Sequence, residues 1–186
     1  MKRLFFITGS PGIGKTTVLL RTVEVLEKAG IKIGGMISHE VREEGNRVGF
    51  EILDFETKKH GWLAHVNQPT GPQVGKYRVN LKDLEVVGAE SIRNAVATAQ
   101  VVIIDEVGPM ELHSLVFKEA VVQALNSGKP VLGVIHQRAR DQLIDLIRRR
   151  ADAEIIEIAY ANRENVHKLL IDRVNQVLEK KPEGES

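Results

Sequence analysis

The stretch 7-ITGSPGIGKTT-17 decides how the rest of the chain is read. Gly9, Gly14, Lys15 and Thr16 fit the pattern G-x-x-x-x-G-K-[ST]. The apolar run Leu4 to Ile7 precedes it, inside a buried strand predicted over 3–8. A helix predicted over 15–29 follows, with Leu19, Val23 and Leu26 on one face and Gly30 at its C-terminal end. Between a strand and a helix, such glycines let the chain wrap so that successive backbone N–H groups point inward at the positive end of the helix. A loop of this kind suits a polyphosphate, which makes Gly9, Ser10, Pro11, Gly12, Ile13, Gly14, Lys15, Thr16 and Thr17 candidate nucleotide-binding residues. Lys15 can reach the β- and γ-phosphates, and the Thr16 hydroxyl can ligate Mg²⁺. Thr17 lies one residue deeper, near an α-phosphate, and Pro11 stiffens the loop. The plainer alternative is a glycine-rich turn capped by threonine.

Beyond residue 30 the pattern alternates. "KIGGMISHEV" and "RVGFEILDFE" read as two strands around the turn "REEGN". Residues 55–80 are rich in Gly and Pro and read as a long loop or a further hairpin. A helix over 81–99 has a weak point at Gly88. "QVVIIDE" (100–106) is a buried strand with a polar tip, followed by helix 113–126, strand 130–135, helix 138–150, strand 154–158 and helix 163–179. This series predicts an open α/β sheet with helices on both faces. No repeat or linker divides it, so residues 1–180 read as one domain and 181–186 as a disordered tail.

A chain of 186 residues can bury roughly 70% of its unfolded surface without help from disulfides, and it has no cysteine. With 26 basic and 25 acidic residues, net +1, no global field draws nucleic acid or a membrane. Nucleic acid remains a possible partner without being indicated. The apolar run near the N-terminus is too short for a signal peptide, and none approaches the ~20 residues of a membrane span. These features predict a cytoplasmic protein with no membrane partner. They select no oligomeric state.

A magnesium-nucleotide site needs a second metal anchor at the end of a nearby strand. In "VVIIDEVGPMEL", Asp105 emerges from four apolar residues at a carboxyl end, where ligands of open α/β sheets gather. Asp105 is therefore the candidate partner of Thr16 for Mg²⁺, and Glu106 beside it the candidate base that takes a proton from, or orients, an attacking water. The plainer reading makes both solvated acids at a strand end.

With these residues in view the chain resembles the THEP1-type nucleoside-triphosphatases of the P-loop superfamily. The resemblance runs through "ITGSPGIGKTT", "GGMISHEVREEGNRVGFEI", "GKYRVNL", "VVIIDEVGPMEL" and "IEIAYANRENV". It implies a three-layer P-loop NTPase fold with a mainly parallel central sheet plus an added β-hairpin, and places the strand near 130–135 between the cradle strand and the Asp105 strand. It also implies Mg²⁺-dependent hydrolysis of ATP, GTP, CTP and UTP to diphosphate and phosphate, with loose base selectivity. Many members carry a lysine where this chain has Pro109, so no role of that lysine transfers.

Secondary candidates each have a plain alternative. His136 or Gln137 could sense a γ-phosphate or help place the water, or could be a polar strand end that caps the next helix. Arg138 and Arg140 could reach that phosphate from a lid as catalytic residues, or could form a surface pair with Asp141 and Asp145. Arg148 to Arg150 suit a helix C-terminus. Arg42 and Arg47 flank the hairpin tip and could reach phosphate or a macromolecular partner, or be the ordinary charges of an exposed hairpin. Asn162 and Arg163 could contact a nucleobase, or Asn162 could cap the last helix. The six histidines show no metal-ligand spacing. Two other functions share the cradle: a small-molecule or nucleotide kinase, and a nucleotide-driven switch or RNA-associated module. The guanine-selective N-K-x-D motif of a dedicated GTP switch is absent from the sequence.

Overall fold

A computed structural model describes residues 1–180; the tail expected to be disordered, 181–186, lies outside the described residues. Nine strands form one sheet: β1 (Leu4–Thr8), β2 (Ile33–Glu43), β3 (Asn46–Asp54), β4 (His60–His65), β5 (Gln73–Val74), β6 (Tyr77–Val79), β7 (Val101–Val107), β8 (Val131–Ile135) and β9 (Ala153–Glu157). Their order is β5-β6-β4-β3-β2-β7-β8-β1-β9. β2, β7, β8, β1 and β9 run parallel, and β3 to β6 continue the sheet antiparallel from β2. The strand after residue 130 does lie between the cradle strand and the Asp105 strand.

The helices are α1 (Lys15–Lys28), α2 (Leu81–Asp83), α3 (Glu90–Thr98), α4 (Leu115–Asn126), α5 (Gln142–Arg149) and α6 (Arg163–Glu179). Successive strand residues point to opposite faces, and the core divides accordingly. Phe5 and Ile7 of β1 and Val101 and Ile103 of β7 pack on the face covered by α1 and α6. Leu4, Phe6, Val102 and Ile104 pack on the face covered by α3, α4 and α5. This gives the three layers. β8 is thin at its centre: a Cβ on Gly133 would lie 2.5 Å from the Phe6 ring and 3.1 Å from the Ile104 carbonyl oxygen.

Three boundaries differ from the sequence reading, each for a local reason. The weak point at Gly88 is a π-helical turn, Leu84–Ala89, which buries Leu84 and Val87. Residues 55–80 contain β4, β5 and β6, the further-hairpin alternative rather than the loop. The helix expected from 138 begins at Gln142, because Asp141 is its cap, accepting from the Leu143 N–H at 2.8 Å. Residues 136–141 are therefore a loop at the carboxyl end of β8.

Candidate active site

Three elements meet at the carboxyl ends of the parallel strands: the loop from β1 to α1, the end of β7, and the end of β8. Gly14 occupies the cap position of α1 with φ 104°, a left-handed conformation that favours glycine, and no side chain caps the helix. The first turn carries no acid to offset the helix dipole. It carries Lys15 instead, whose Nζ donates to the Gly9 and Ser10 carbonyls at 2.9 and 3.1 Å. Helix N-terminus and ammonium together make a strongly anion-seeking loop.

β7 ends in a bulge. Ile104 pairs with Gly133 and Val107 with Ile135, so β7 has one more residue than β8 between these pairs. A bulge re-aims side chains, and here it falls on Asp105 and Glu106. Asp105 is 2% exposed, and its Oδ2 has no hydrogen-bond partner. Burial pushes its carboxyl up to about 7, with Glu106 adding to the rise, while a hydrogen bond from Thr16 and the charge of Lys15 oppose it. Burial also raises Glu106, against the pull of His136 and Lys15.

A third acid went unnoticed in the sequence. Glu111 opens the 3₁₀ turn Glu111–His113 that follows β7, and it is 3% exposed. Its carboxyl is pushed up to about 8, by burial first and then by the neighbouring Glu106 charge. The two carboxylates close around Gly108: Glu106 Oε1 lies 2.6 Å and Glu111 Oε2 3.2 Å from where a Cβ on that glycine would stand. The only sequence signal was an acid six residues after Asp105 in "DEVGPMEL".

The half-buried His136 sits at the end of β8. Its backbone N–H donates to the Val107 carbonyl at 3.1 Å. Its Nδ1 accepts the N–H groups of Arg138 and Ala139 at 3.2 and 3.0 Å, which leaves Nε2 as the protonated nitrogen of the neutral ring. His136 and Glu106 line the same cavity. Gln137 turns away, donating to Glu157 at 3.2 Å.

The site has two chambers. One, of about 340 Å³, is bounded by Gly12, Gly14, Thr17, Arg21, Arg163 and Glu164. The other, of about 320 Å³, lies beyond Thr16 and the acids and is walled by the antiparallel strands. Arg163 thus borders the Thr17 side, its guanidinium 5.0 Å from the centre of the Tyr160 ring. Asn162 spends its side chain on the preceding turn: Oδ1 accepts from Ala159 N–H at 2.9 Å, and Nδ2 donates to the Glu157 carbonyl at 2.9 Å. It makes no side-chain cap of α6.

Arg138 and Arg140 are exposed on the 136–141 loop and line neither chamber. The structure does not bring them to the cradle. The hairpin arginines are engaged within their own region. Arg42 donates to Glu40 at 2.7 Å and to the Gly45 carbonyl at 3.0 Å, and Arg47 donates to Tyr77 at 3.0 Å and to Glu40 at 3.1 Å.

The residues present fit a divalent cation. A buried carboxylate oxygen without a partner is costly unless a cation or donor meets it, and Asp105 Oδ2 faces that cost beside the Thr16 hydroxyl. Among the described residues no group of three or more His, Cys, Asp or Glu side chains could hold a metal ion. No helix among the described residues is long and apolar enough to cross a membrane.

Comparison with known proteins supplies the family. A family model described as NTPase matches residues 4–171. The chain is 49% identical to a nucleoside-triphosphatase THEP1 of Thermofilum pendens, over 86% of this chain and 88% of the relative. It is 48% identical to that of Methanosarcina acetivorans, over 90% and 94% of the two chains. Among solved structures, THEP1 from Aquifex aeolicus superposes with a TM-score of 0.80 at 30% identity, covering 92% of this chain and 98% of the other. A human cancer-related nucleoside triphosphatase superposes with a TM-score of 0.78 at 34% identity, covering 96% and 99%.

Proposed function

The chain belongs to the THEP1-type nucleoside-triphosphatase family of P-loop NTPases, and we propose that it hydrolyses nucleoside 5′-triphosphates to diphosphate and phosphate with Mg²⁺ and with Glu106 as the base. The observation that carries this reading is the pair at the end of β7: a buried Asp105 with an unpartnered oxygen, and Glu106 bordering the cavity that opens from Thr16. Residues 1–180 act as one catalytic unit.

The triphosphate lies along the 9–17 loop, its charge met by the backbone N–H groups, the α1 N-terminus and Lys15. Thr17 meets the α-phosphate, so the nucleoside extends into the chamber bordered by Arg163. In that chamber Arg21 and Arg163 both pair with Glu164, and Asn162 is engaged elsewhere, which supports loose base selectivity. ATP, GTP, CTP and UTP are all accepted on this account. Thr16 and Asp105 would hold Mg²⁺, which would supply neutralisation of phosphate charge. Glu106 takes the proton of a water as its oxygen bonds to the γ-phosphorus, and the bond from that phosphorus to the bridging oxygen breaks. His136 Nε2–H, facing the same cavity, orients Glu106 or the water.

Phosphate release from ATP, GTP, CTP and UTP with Mg²⁺ tests this reading. Comparable release from all four is expected. Lys15→Ala should lose activity and nucleotide binding together. Glu106→Gln should still bind nucleotide while kcat falls by about 10²- to 10⁴-fold, the usual worth of a positioned base. Normal turnover in Glu106→Gln would remove the base assignment.

A further inference from the structure

We propose that the 320 Å³ chamber beyond Glu106 is an acceptor site: it takes a small uncharged alcohol with a flat apolar body, whose hydroxyl competes with water for the γ-phosphoryl group. This rests on the hydrolysis reading for the placement of the nucleotide.

The first ground is space. The two chambers share no lining residue. A nucleotide that runs past Thr17 toward Arg163 fills the other one, and its Mg²⁺ and γ-phosphate would take up only the Thr16 and Asp105 end of this one, leaving the part walled by Phe50, Leu63 and Val74. An attacking water needs about 30 Å³, a small fraction of what is there.

The second ground is chemistry. Phe50, Leu63, Val74 and Met110 make an apolar wall, with Ser38 and His39 at the strand side and Glu106 and His136 at the core side. An apolar pocket with a few converging polar groups is the usual form of a small-molecule site. The wall is preformed: the Phe50 ring meets Tyr77 edge to face at 5.2 Å between centroids. No lysine or arginine lines the chamber, whereas Asp105, Glu106 and Glu111 all face it. With no lysine or arginine to meet its charge, a phosphorylated or acidic acceptor would lose its hydration there without a partner, so the chamber favours neutral ones. The β2–β6 extension thus supplies a surface that hydrolysis alone does not need.

The step balances as phosphoryl transfer. The alcohol oxygen bonds to the γ-phosphorus, the bond to the β–γ bridging oxygen breaks, nucleoside diphosphate leaves, and Glu106 receives the hydroxyl proton. The products are an alcohol phosphate and the diphosphate.

The test uses the full chain with Mg²⁺ and ATP labelled at the γ-phosphate, with 2-phenylethanol and thymidine as probes and glycerol 3-phosphate as the anionic control. Labelled organic phosphate is expected from the neutral alcohols and not from the control. The ratio of organic phosphate to free phosphate should fall at least tenfold in Leu63→Trp, which fills the chamber. Val74→Phe, on the half-buried outermost strand, makes the same test should the tryptophan prevent folding. Free phosphate with no labelled alcohol would overturn the proposal and leave hydrolysis standing. Equal ratios in wild type and filled variants, or transfer to glycerol 3-phosphate alone, would also overturn it. Absence of both products would remove the hydrolysis reading beneath it.

Discussion

The two halves of the sheet handle charge in opposite ways. At the carboxyl ends of β1, β7 and β8, charges are left unmatched: an uncapped helix with a lysine in its first turn, and three acids largely withdrawn from water. In the antiparallel extension charges are matched locally. Arg47 bonds Glu40 and Tyr77 and lies 5.3 Å from the centre of the Phe50 ring, and His39 meets Glu51 at 3.0 Å. Unmatched charge is held in place by the surrounding fold and is available to a ligand, whereas matched charge stabilises its own region. The contrast shows why arginines at a hairpin tip and a lysine in a glycine loop, equally basic in sequence, differ in what they do.

Substitutions can break this contrast if it is false. His136→Ala should have the largest effect of three, reducing kcat by about tenfold or more while leaving the melting temperature within roughly 3 °C. His136→Asn, which can still accept a backbone N–H two residues on, separates loop support from contact with the cavity. Recovery of activity by the asparagine would assign His136 to the loop alone.

Glu111→Gln should act through stability. Burial raises the Glu111 carboxyl from 4.5 to about 8. The unfolded chain therefore loses this proton first, and folding stability falls as pH rises between those values. The glutamine removes that loss. Its melting temperature should gain on the wild type from pH 5 to pH 8, by up to roughly ten degrees, and the gain should level off above. A constant difference across that range would show that Glu111 is ionised in the folded protein.

Arg47→Ala, in the extension, should change phosphate release by less than about twofold. It should lower stability by about 1 kcal/mol, from the lost hydrogen bond and ring contact. A larger catalytic loss than in His136→Ala would reverse the contrast between the two halves.

What was legible in the sequence was local. The cradle is contiguous, and Asp105 follows an apolar run whose burial is plain from its residues. The family resemblance supplied the position of β8. Glu111 was missed because nothing short-range marks it; its importance comes from the turn that folds it back on Glu106. Arg138 and Arg140 stayed ambiguous because sequence places them near β8 without showing that Asp141 delays the helix and His136 ties down the loop between. The hairpin arginines stayed ambiguous because Tyr77, thirty residues from Arg47, settles them. The second chamber depends on Leu63 of β4 and Val74 of β5 lining one cavity with Thr16, a juxtaposition that no single segment encodes.

The thinness of β8 at Gly133 sets a tolerance for the whole site. Phe6 stands three residues before Gly9, where the cradle begins, and Ile104 immediately before Asp105. A single methyl group on Gly133 would push against both neighbours at once. The alignment of phosphate grip and acid pair is thereby set by the thickness of one strand in the dry interior. Activity could be lost there by a substitution that touches no ligand and leaves every functional side chain chemically intact.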